Sequence, residues 1–393
     1  MAGVSGVTLV TLAAYLVAML LLGRTLSKEA FGQLNLSVYA LNLLGMASLL
    51  GFPNALLRNV PRDRLERSDW KGLNRSLAGF NAGVCLLGVA LYGLLYDTPL
   101  SNLVLLLVAA LFLGQSLFLV TVLQIFRRFA LAQGLFTLWR PVLLIAALLA
   151  YTGALRGLTP LLAAIAAGAA GQYALLVLVL RRAPRGPDPI PLRSLTHDAG
   201  VFFVLGLTAV LISRLDSFFL PRMIDFDTLG VYATISFYAL TAYAVVSMGV
   251  GQVLNPLLAS RERVPTTRIA VGLALGGLAL AGVLAALADW AVPFAFGERY
   301  AGHHRPVAAA LAVAGVFQVL YAVPSSRIGV LASRRVFRGF IAISLSSVVV
   351  DVALILFCLP RWGLTGAALA TAGTWFWRTT GCWVVASRFT RSV

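Results

Sequence analysis

The chain has 393 residues, of which 60% are hydrophobic and 11% are charged, and its mean hydropathy is +0.91. A soluble domain carries roughly 25% charged residues, so this chain lacks the charged surface that would keep it in water. Its net charge of +17 would suggest nucleic acid binding in a soluble protein, but membrane proteins collect basic residues in cytoplasmic loops, and we expect no nucleic acid partner.

Apolar runs of about 20 residues predict transmembrane helices, because a helix of that length crosses a hydrocarbon core of about 30 Å. The first half of the chain contains six such runs, at 4–23, 33–57, 76–96, 101–125, 133–153 and 158–180. The segment 181–198 follows; it is rich in proline and charge, which is typical of a linker. Six more runs lie at 199–220, 229–258, 269–294, 306–332, 339–359 and 364–386.

These runs predict an all-α integral membrane protein with about twelve transmembrane helices in two six-helix lobes. The predicted domains are an N-terminal lobe at 1–180, a cytoplasmic linker at 181–198 and a C-terminal lobe at 199–393. Twenty Lys and Arg residues fall in the even-numbered connections and the C-terminus, against seven in the odd-numbered connections. Because cytoplasmic loops are the ones enriched in Lys and Arg, both termini are predicted to be cytoplasmic.

The two halves also resemble each other. A shift of 198 residues aligns one arginine and two glycines of each half, Arg24 with Arg222, Gly32 with Gly230 and Gly51 with Gly249. Since six is an even number of helices, both copies have the same orientation in the membrane. Parallel repeats related by a pseudo-two-fold axis along the membrane normal are a transporter architecture, with the substrate path between the two bundles.

Four stretches of the chain carry a family resemblance. They are LLLGRTLSKEAFGQLNLSVYALNLLGMASLLGFPNALLRNVPR at 20–62, ISRLDSFFLPRMIDFDTLGVYATISFYAL at 212–240, FGERYAGHHRPVAAALAVAGVFQVLYAV at 296–323 and LPRWGLTGAALAT at 359–371. In their order and spacing they resemble the polysaccharide flippases, which move O-antigen and other lipid-linked oligosaccharides. These flippases belong to the multidrug/oligosaccharidyl-lipid/polysaccharide exporter superfamily. The resemblance extends over nearly the whole chain.

The resemblance implies a multi-pass protein of the cell inner membrane. Such a protein moves a polyprenyl-diphosphate-linked oligosaccharide from the cytoplasmic to the periplasmic leaflet, by rocking two six-helix lobes around a central cavity. Its expected partners are this lipid-linked oligosaccharide, membrane lipids and other membrane proteins of polysaccharide assembly.

Several charged residues lie within the predicted helices or at their ends. A charge at the bilayer centre costs about 2.5 to 3.5 kcal/mol on insertion scales, so such residues are functional candidates. Guanidinium groups bind phosphate bidentately and keep their charge, which suits the diphosphate that the resemblance implies. The candidate substrate-binding residues are Arg214, Arg140, Arg378, Arg327 and Arg58.

These charges have alternative interpretations. Each arginine can instead contact a neighbouring helix or extend to a membrane interface, most readily Arg58, Arg140 and Arg327, which lie near predicted cytoplasmic ends.

The two acids at membrane depth have alternatives as well. Asp216 is interpreted either as a counter-ion of Arg140 or Arg378 or as a coupling-ion site. Asp351 is interpreted either as a partner for an arginine on another helix or as a cation site.

Two other functions compete with the flippase. A cation-coupled drug or metabolite exporter should carry paired buried acids in its first lobe, whereas the six predicted helices of that lobe contain none. A membrane glycosyltransferase or polymerase needs an outer catalytic loop, but His303 and His304 lie in a short loop with Glu298 and no nucleophile. The three cysteines lack metal-ligand spacing. We therefore expect a protein that is not an enzyme and has no metal or other cofactor.

Overall fold

The protein is described by a computed structural model that covers residues 2–190, 192–259, 265–331 and 334–389. Its regular elements in these ranges are helices, and an isolated bridge joins Ser68 to Asp188. The chain divides into two compact units, which we call lobe 1 (Met1–Leu207) and lobe 2 (Thr208–Val393). The prediction of an all-α membrane protein is confirmed.

The described residues of lobe 1 form nine helices and the start of a tenth. They are α1 (Ala2–Thr25), α2 (Lys28–Ala47), α3 (Phe52–Asn59), α4 (Arg62–Arg67), α5 (Trp70–Tyr96), α6 (Leu100–Ile125), α7 (Phe129–Phe136), α8 (Trp139–Tyr151), α9 (Thr159–Leu180) and the first turns of α10 (Leu192–Met223). The central helix is α6, which packs against α2, α3, α5 and α9, while α1 packs against α8.

The predicted helix 33–57 is broken in the structure. The axes of α2 and α3 differ in direction by 47°, and Leu50 and Gly51 between them have positive φ values of 46° and 75°. Pro53 follows in the first turn of α3, where the missing N–H is tolerated because that group has no partner within the helix. The apolar run is therefore one segment in sequence and two helices in space.

The predicted helix 133–153 is interrupted only locally, because Phe129–Tyr151 still forms one apolar span of 23 residues. It starts earlier, at Phe129, and is interrupted between α7 and α8. Pro141 is the third residue of α8, and a proline at that point cannot continue a preceding helix because it lacks the N–H group. Arg140 lies directly at the restart, and its backbone N–H donates to the carbonyl of Thr137 at 3.1 Å.

In the parts of the chain that the structure describes, lobe 2 is built from the rest of α10 and from four further helices. These are α11 (Phe226–Ala259), α12 (Thr266–Phe296), α13 (Arg305–Leu331) and α14 (Arg334–Phe389), with a 3-10 turn at Glu298–Tyr300. The central helix is α13, which packs against α11, α12 and α14. Gly363 has a φ of 52° and kinks α14 into two arms, which fits the predicted helices 339–359 and 364–386.

Large apolar side chains cover much of the outside of both lobes. Leu87 and Leu94 on α5 are 73% and 79% exposed, and Trp290 on α12 is 64% exposed. Water would disfavour such a surface, whereas lipid accepts it. Nine helices of the described chain are long and apolar enough to span a membrane, or ten with α2 and α3 taken as one span. Twelve crossings are consistent with this if each arm of α14 crosses and α1 does too, and the number remains a prediction.

Candidate functional site

A buried carboxylate connects three helices in lobe 2. Asp216 on α10 is 6% exposed. One of its oxygens accepts hydrogen bonds from the backbone N–H and the hydroxyl of Ser217, at 2.6 and 3.2 Å. Its other oxygen accepts from the hydroxyl of Thr371 on α14, at 2.9 Å, and from the hydroxyl of Tyr232 on α11. The charge is therefore held by donors from α10, α11 and α14.

A second buried carboxylate lies on the first arm of α14. Asp351 is 2% exposed, and its Oδ1 accepts a hydrogen bond from the Thr374 hydroxyl at 2.8 Å. Its Oδ2 is buried and has no hydrogen-bond partner among the described residues. Because buried acceptors are nearly always satisfied in proteins, this oxygen has capacity for a further donor or a cation.

A buried arginine lies further along the second arm of α14. Arg378 is 2% exposed, and its guanidinium lies 4.7 Å from the ring centroid of Tyr321 and 5.6 Å from that of Trp375. Its Nη2 donates to the Tyr321 hydroxyl at 3.1 Å. Its Nε and Nη1 are buried without a hydrogen-bond acceptor in the described parts of the chain. The aromatic rings stabilise the cation but leave two of its nitrogens without acceptors.

One face of the second arm of α14 connects these groups. Thr371, Thr374 and Arg378 follow one another at intervals of three and four residues, which places them on the same side of a helix. The ion pairs found in the described chain include none between Arg378 and Asp216 or Asp351. The predicted pairing of Asp216 with Arg378 is absent in this conformation, because hydroxyl groups serve the carboxylates and Tyr321 serves the arginine.

Two further predicted arginines of lobe 2 are half-buried. Arg214 lies on α10, two residues before Asp216. Arg327 lies on α13, three residues after Pro324, and its Nη1 is 3.5 Å from the hydroxyl of Thr266 at the start of α12. Arg327 is therefore at the end of lobe 2 where α12 begins.

The predicted arginines of lobe 1 have different surroundings. Arg140 is half-buried at the start of α8, with its guanidinium 5.6 Å from the ring centroid of Tyr15 and 5.8 Å from that of Trp139. Its Nε is buried without an acceptor in the described residues. Arg58 is exposed in the last turn of α3. Arg140 therefore resembles Arg378, since the guanidinium groups of both lie beside two aromatic rings.

Sequence reasoning missed the hydroxyl and aromatic partners of the charges. No sequence pattern marks these partners, which are Tyr232, Thr371, Thr374 and Tyr321, because they lie within apolar runs. Hydroxyl groups in membrane helices usually contact neighbouring helices. The spacing of Thr371, Thr374 and Arg378 was the one signal present in the sequence, because it marks a polar face on an apolar helix.

Comparison with known proteins identifies the family to which the chain belongs. The family model described as "Polysaccharide biosynthesis protein" matches residues 2–261, which is well over half of the chain. The chain belongs to this family. A search of curated proteins gave no match.

Solved structures share the fold of this family member at low sequence identity. A lipid II flippase, MurJ, in an inward closed conformation has a TM-score of 0.69 and 14% identity, covering 97% of this chain and 86% of the MurJ chain. A multidrug resistance MATE family transporter of the MOP superfamily, in an inward-facing conformation, has a TM-score of 0.63 and 14% identity, with coverages of 96% and 94%. A mutant of the Vibrio cholerae MATE transporter VcmN has a TM-score of 0.58 and 15% identity, with coverages of 100% and 99%. The predicted family and fold are thus confirmed.

Proposed function

We propose that this protein is a flippase that moves a polyprenyl-diphosphate-linked oligosaccharide from the cytoplasmic to the periplasmic leaflet of the inner membrane. It works by alternating access, is not an enzyme and has both termini in the cytoplasm. Membership of a polysaccharide biosynthesis family supports the glycan, and the fold shared with MurJ and MATE transporters supports transport. Its substrates are the glycan lipids, such as O-antigen precursors, that other membrane proteins of polysaccharide assembly make and use.

The observation that carries the proposal is that arginines at membrane depth have buried nitrogens without hydrogen-bond acceptors among the described residues. Arg140 and Arg378 lie beside aromatic rings, and each has a buried nitrogen without an acceptor in the described chain. A charge within the membrane is costly and is usually kept for a function. A diphosphate offers the oxygen acceptors that these groups lack, and charge-assisted bonds from guanidinium to phosphate are strong and directional.

The arginines take different roles in this proposal. Arg58, Arg140, Arg214 and Arg327 keep part of their surface exposed, so they contact the diphosphate as it moves. Arg378 is 2% exposed, so it contributes positive potential from inside lobe 2 and meets the substrate only when that lobe rearranges.

The two acids supply the energetic coupling. Asp216 and Asp351 are buried and bonded by hydroxyl groups from α11 and α14. Carboxylate and hydroxyl oxygens suit a hard cation such as Na⁺ or a proton, and the Oδ2 of Asp351, which has no hydrogen-bond partner among the described residues, can bind one. A cation at Asp216 or Asp351 would therefore link ion movement to the packing of the three helices that these residues join.

The test is neutralisation of Arg214 in a host that depends on this protein for its surface glycan. We expect Arg214→Gln to lower surface glycan about tenfold and to cause lipid-linked oligosaccharide to accumulate on the cytoplasmic leaflet. Loss of a charge-assisted hydrogen bond costs about 1.5 to 3 kcal/mol, which corresponds to roughly a tenfold to hundredfold change in binding. Surface glycan is measured on gels, and the leaflet is assigned with a membrane-impermeant reagent.

The matched control is Arg222→Gln, which removes the same charge from the exposed end of the same helix and should leave surface glycan unchanged. Protein amounts are compared by immunoblot so that loss of the protein is not taken for loss of activity. Wild-type glycan in the Arg214→Gln strain would remove Arg214 from the mechanism.

A further inference from the structure

A cleft in lobe 1 is lined by basic side chains on one side and by apolar side chains on the other. It has a volume of about 240 Å³ and lies between the start of α5, the middle of α6 and the end of α9. Lys71 and Arg75 reach it from α5, and Arg181 reaches it from the residue that follows α9. The apolar part of its lining includes Leu119 and Val177.

The local structure holds these cations together. The Nζ of Lys71 donates to the backbone carbonyl of Arg181 at 3.2 Å, which fixes the start of α5 against the end of α9. The indole N–H of Trp70 donates to the carbonyl of Pro184 at 3.0 Å. The backbone N–H of Asp69 also donates to the carbonyl of Asp188, at 2.8 Å. The segment after α9 is therefore attached to α5, and the basic side chains stay on one cleft.

The charges of the cleft are not neutralised within the described chain. The ion pairs found there involve Arg62, His197 and Arg305 as the cations, and none involves Lys71, Arg75 or Arg181. The nearest acid in sequence, Asp69, caps the start of α5, where its Oδ1 accepts from the backbone N–H of Gly72 at 3.0 Å, and it does not line the cleft. Three positive charges thus face a small cleft with no acid among its lining residues.

The other side of the cleft faces the apolar surface of the lobe. Val177 lines it and is 43% exposed, and its neighbours Leu175 and Leu178 on α9 are 40% and 62% exposed. A membrane helix exposes such residues to acyl chains. The cleft therefore lies where head groups meet hydrocarbon, with cations on one side and lipid-facing leucine and valine on the other.

We propose that this cleft binds the phosphodiester head group of an anionic glycerophospholipid, such as phosphatidylglycerol, from the leaflet on that side of the membrane. Basic clefts between transmembrane helices on the cytoplasmic side are typical sites for anionic lipids. The phosphate contacts Arg75, Arg181 and Lys71, and the acyl chains follow the surface of α9. Because the head group joins α5 to the residue after α9, the lipid stabilises the attachment of the 181–190 segment.

The size and position of the cleft favour a phospholipid over the flippase substrate. A volume of about 240 Å³ matches a phosphate with its glycerol, whereas an attached oligosaccharide would have to extend out of the open cleft. The apolar wall also distinguishes a lipid from free phosphate, which gains nothing from Val177 or Leu119. The proposal does not depend on translocation, so a binding experiment tests it separately from the proposed function.

The experiment measures lipid binding to the full chain purified in a mild detergent. Native mass spectrometry counts bound dioleoylphosphatidylglycerol during titration, and dioleoylphosphatidylcholine serves as a zwitterionic probe with the same acyl chains. The test variant is Arg75→Gln with Arg181→Gln. The matched control is Arg64→Gln with Arg185→Gln, which removes two exposed charges from the same end of the lobe without changing the cleft lining.

We expect phosphatidylglycerol to bind the test variant about thirtyfold more weakly than the control variant, since two basic residues are removed from the cleft and each contributes about fivefold to binding an anionic lipid. Wild-type protein should prefer phosphatidylglycerol to phosphatidylcholine. A variant with Arg75→Lys and Arg181→Lys keeps the charge and should keep the preference, which separates loss of binding from loss of fold.

Three results would overturn the proposal. Equal weakening in the test and control variants would mean that the charges act only as a diffuse surface potential. Complete competition by inorganic phosphate would assign the cleft to a free anion. Displacement of phosphatidylglycerol by a much lower concentration of undecaprenyl diphosphate would assign it to the substrate.

Discussion

Single buried charges in lobe 2 are stabilised in two different ways. Asp216 accepts hydrogen bonds from three side chains and one backbone group. Among the described residues, Arg378 has one hydrogen-bond acceptor and two neighbouring aromatic rings. The difference is physical, because hydroxyl groups donate readily to a carboxylate, whereas a guanidinium with five N–H groups needs more acceptors than an apolar helix bundle offers.

The hydrogen bond from Tyr232 to Asp216 should be worth more than an ordinary one. We expect Tyr232→Phe to destabilise the protein by about 1.5 to 3 kcal/mol, because the hydroxyl serves a charged acceptor. The control is Tyr243→Phe on the same helix. Tyr243 is also 1% exposed, but its hydroxyl donates to the neutral carbonyl of Gly277 at 2.9 Å, so about 1 kcal/mol is expected there.

Thermal unfolding of both variants in detergent measures this difference. Equal destabilisation of Tyr232→Phe and Tyr243→Phe would contradict a stronger hydrogen bond to Asp216.

The charged residues of the site could be predicted from sequence, and their partners could not. Asp216, Asp351 and Arg378 stand out because a charge interrupts an apolar run. Thr371 is 155 residues from Asp216 in the chain, and no local pattern encodes such a contact. The lack of an ion pair between Asp216 and Arg378 depends on the same long-range packing.

At the scale of helices, the break between α2 and α3 depends on a distant segment. A Cβ atom built on Gly51 would lie 2.3 Å from the carbonyl oxygen of Ala199 and 2.5 Å from the backbone nitrogen of Phe203. The backbone of α10 therefore covers the break directly. In a membrane, backbone groups freed by a broken helix are tolerated where protein buries them, so the start of α10 makes the break possible.

Substitution of Gly51 should therefore be costly. We expect Gly51→Ala to destabilise lobe 1 by about 2 kcal/mol or more, because a non-glycine residue at positive φ is strained and the new methyl group collides with backbone. Gly45→Ala is the control, since Gly45 lies within α2 with nothing near its Cβ position, and alanine there should be neutral or stabilising by up to about 1 kcal/mol.

The measurement for this pair is the midpoint of thermal unfolding, together with the yield of monodisperse protein. A Gly51→Ala variant as stable as Gly45→Ala would show that α10 can withdraw from the break without cost.

Hydropathy located the long helices but not the polar ones. The six-residue helix α4 begins after Pro61 and consists almost entirely of charged residues, so no apolar run marks it. Helix α5 begins at Trp70, six residues before the predicted start at 76, because its first turns carry Lys71, Asn74 and Arg75. These turns face the basic cleft, where polar side chains are an advantage.

At the scale of the whole molecule, the distribution of basic residues predicts the orientation in the membrane. Reporter proteins fused after Arg67 and after Gly302 should report opposite sides, because these positions lie in even-numbered and odd-numbered connections. A third fusion after Arg127 should agree with the fusion after Arg67. Alkaline phosphatase activity and green fluorescence give complementary readouts, and the same side for Arg67 and Gly302 would exclude the twelve-helix topology.

The linker predicted from composition and the boundary between the compact units lie at different positions in the chain. Composition places a linker at 181–198, whereas the compact units meet between Leu207 and Thr208, inside the continuous helix α10. The reason is the packing of Ala199 and Phe203 on Gly51, which holds the first turns of α10 in lobe 1. Composition shows where the chain is polar. Packing determines that the first residues after this polar segment belong to the core of lobe 1.

The break at Gly51, which the backbone of α10 covers, has a consequence for how this protein evolved and how it assembles during synthesis. A gene fusion of two ancestral copies would join them in the linker, yet the residue that covers Gly51 is encoded after that joint. During synthesis, Gly51 is made long before Ala199, so the bend between α2 and α3 must wait for its cover. The chain up to residue 198 therefore lacks the backbone that covers Gly51, and exchange of this half with that of a relative would have to include the stretch from Ala199 to Phe203.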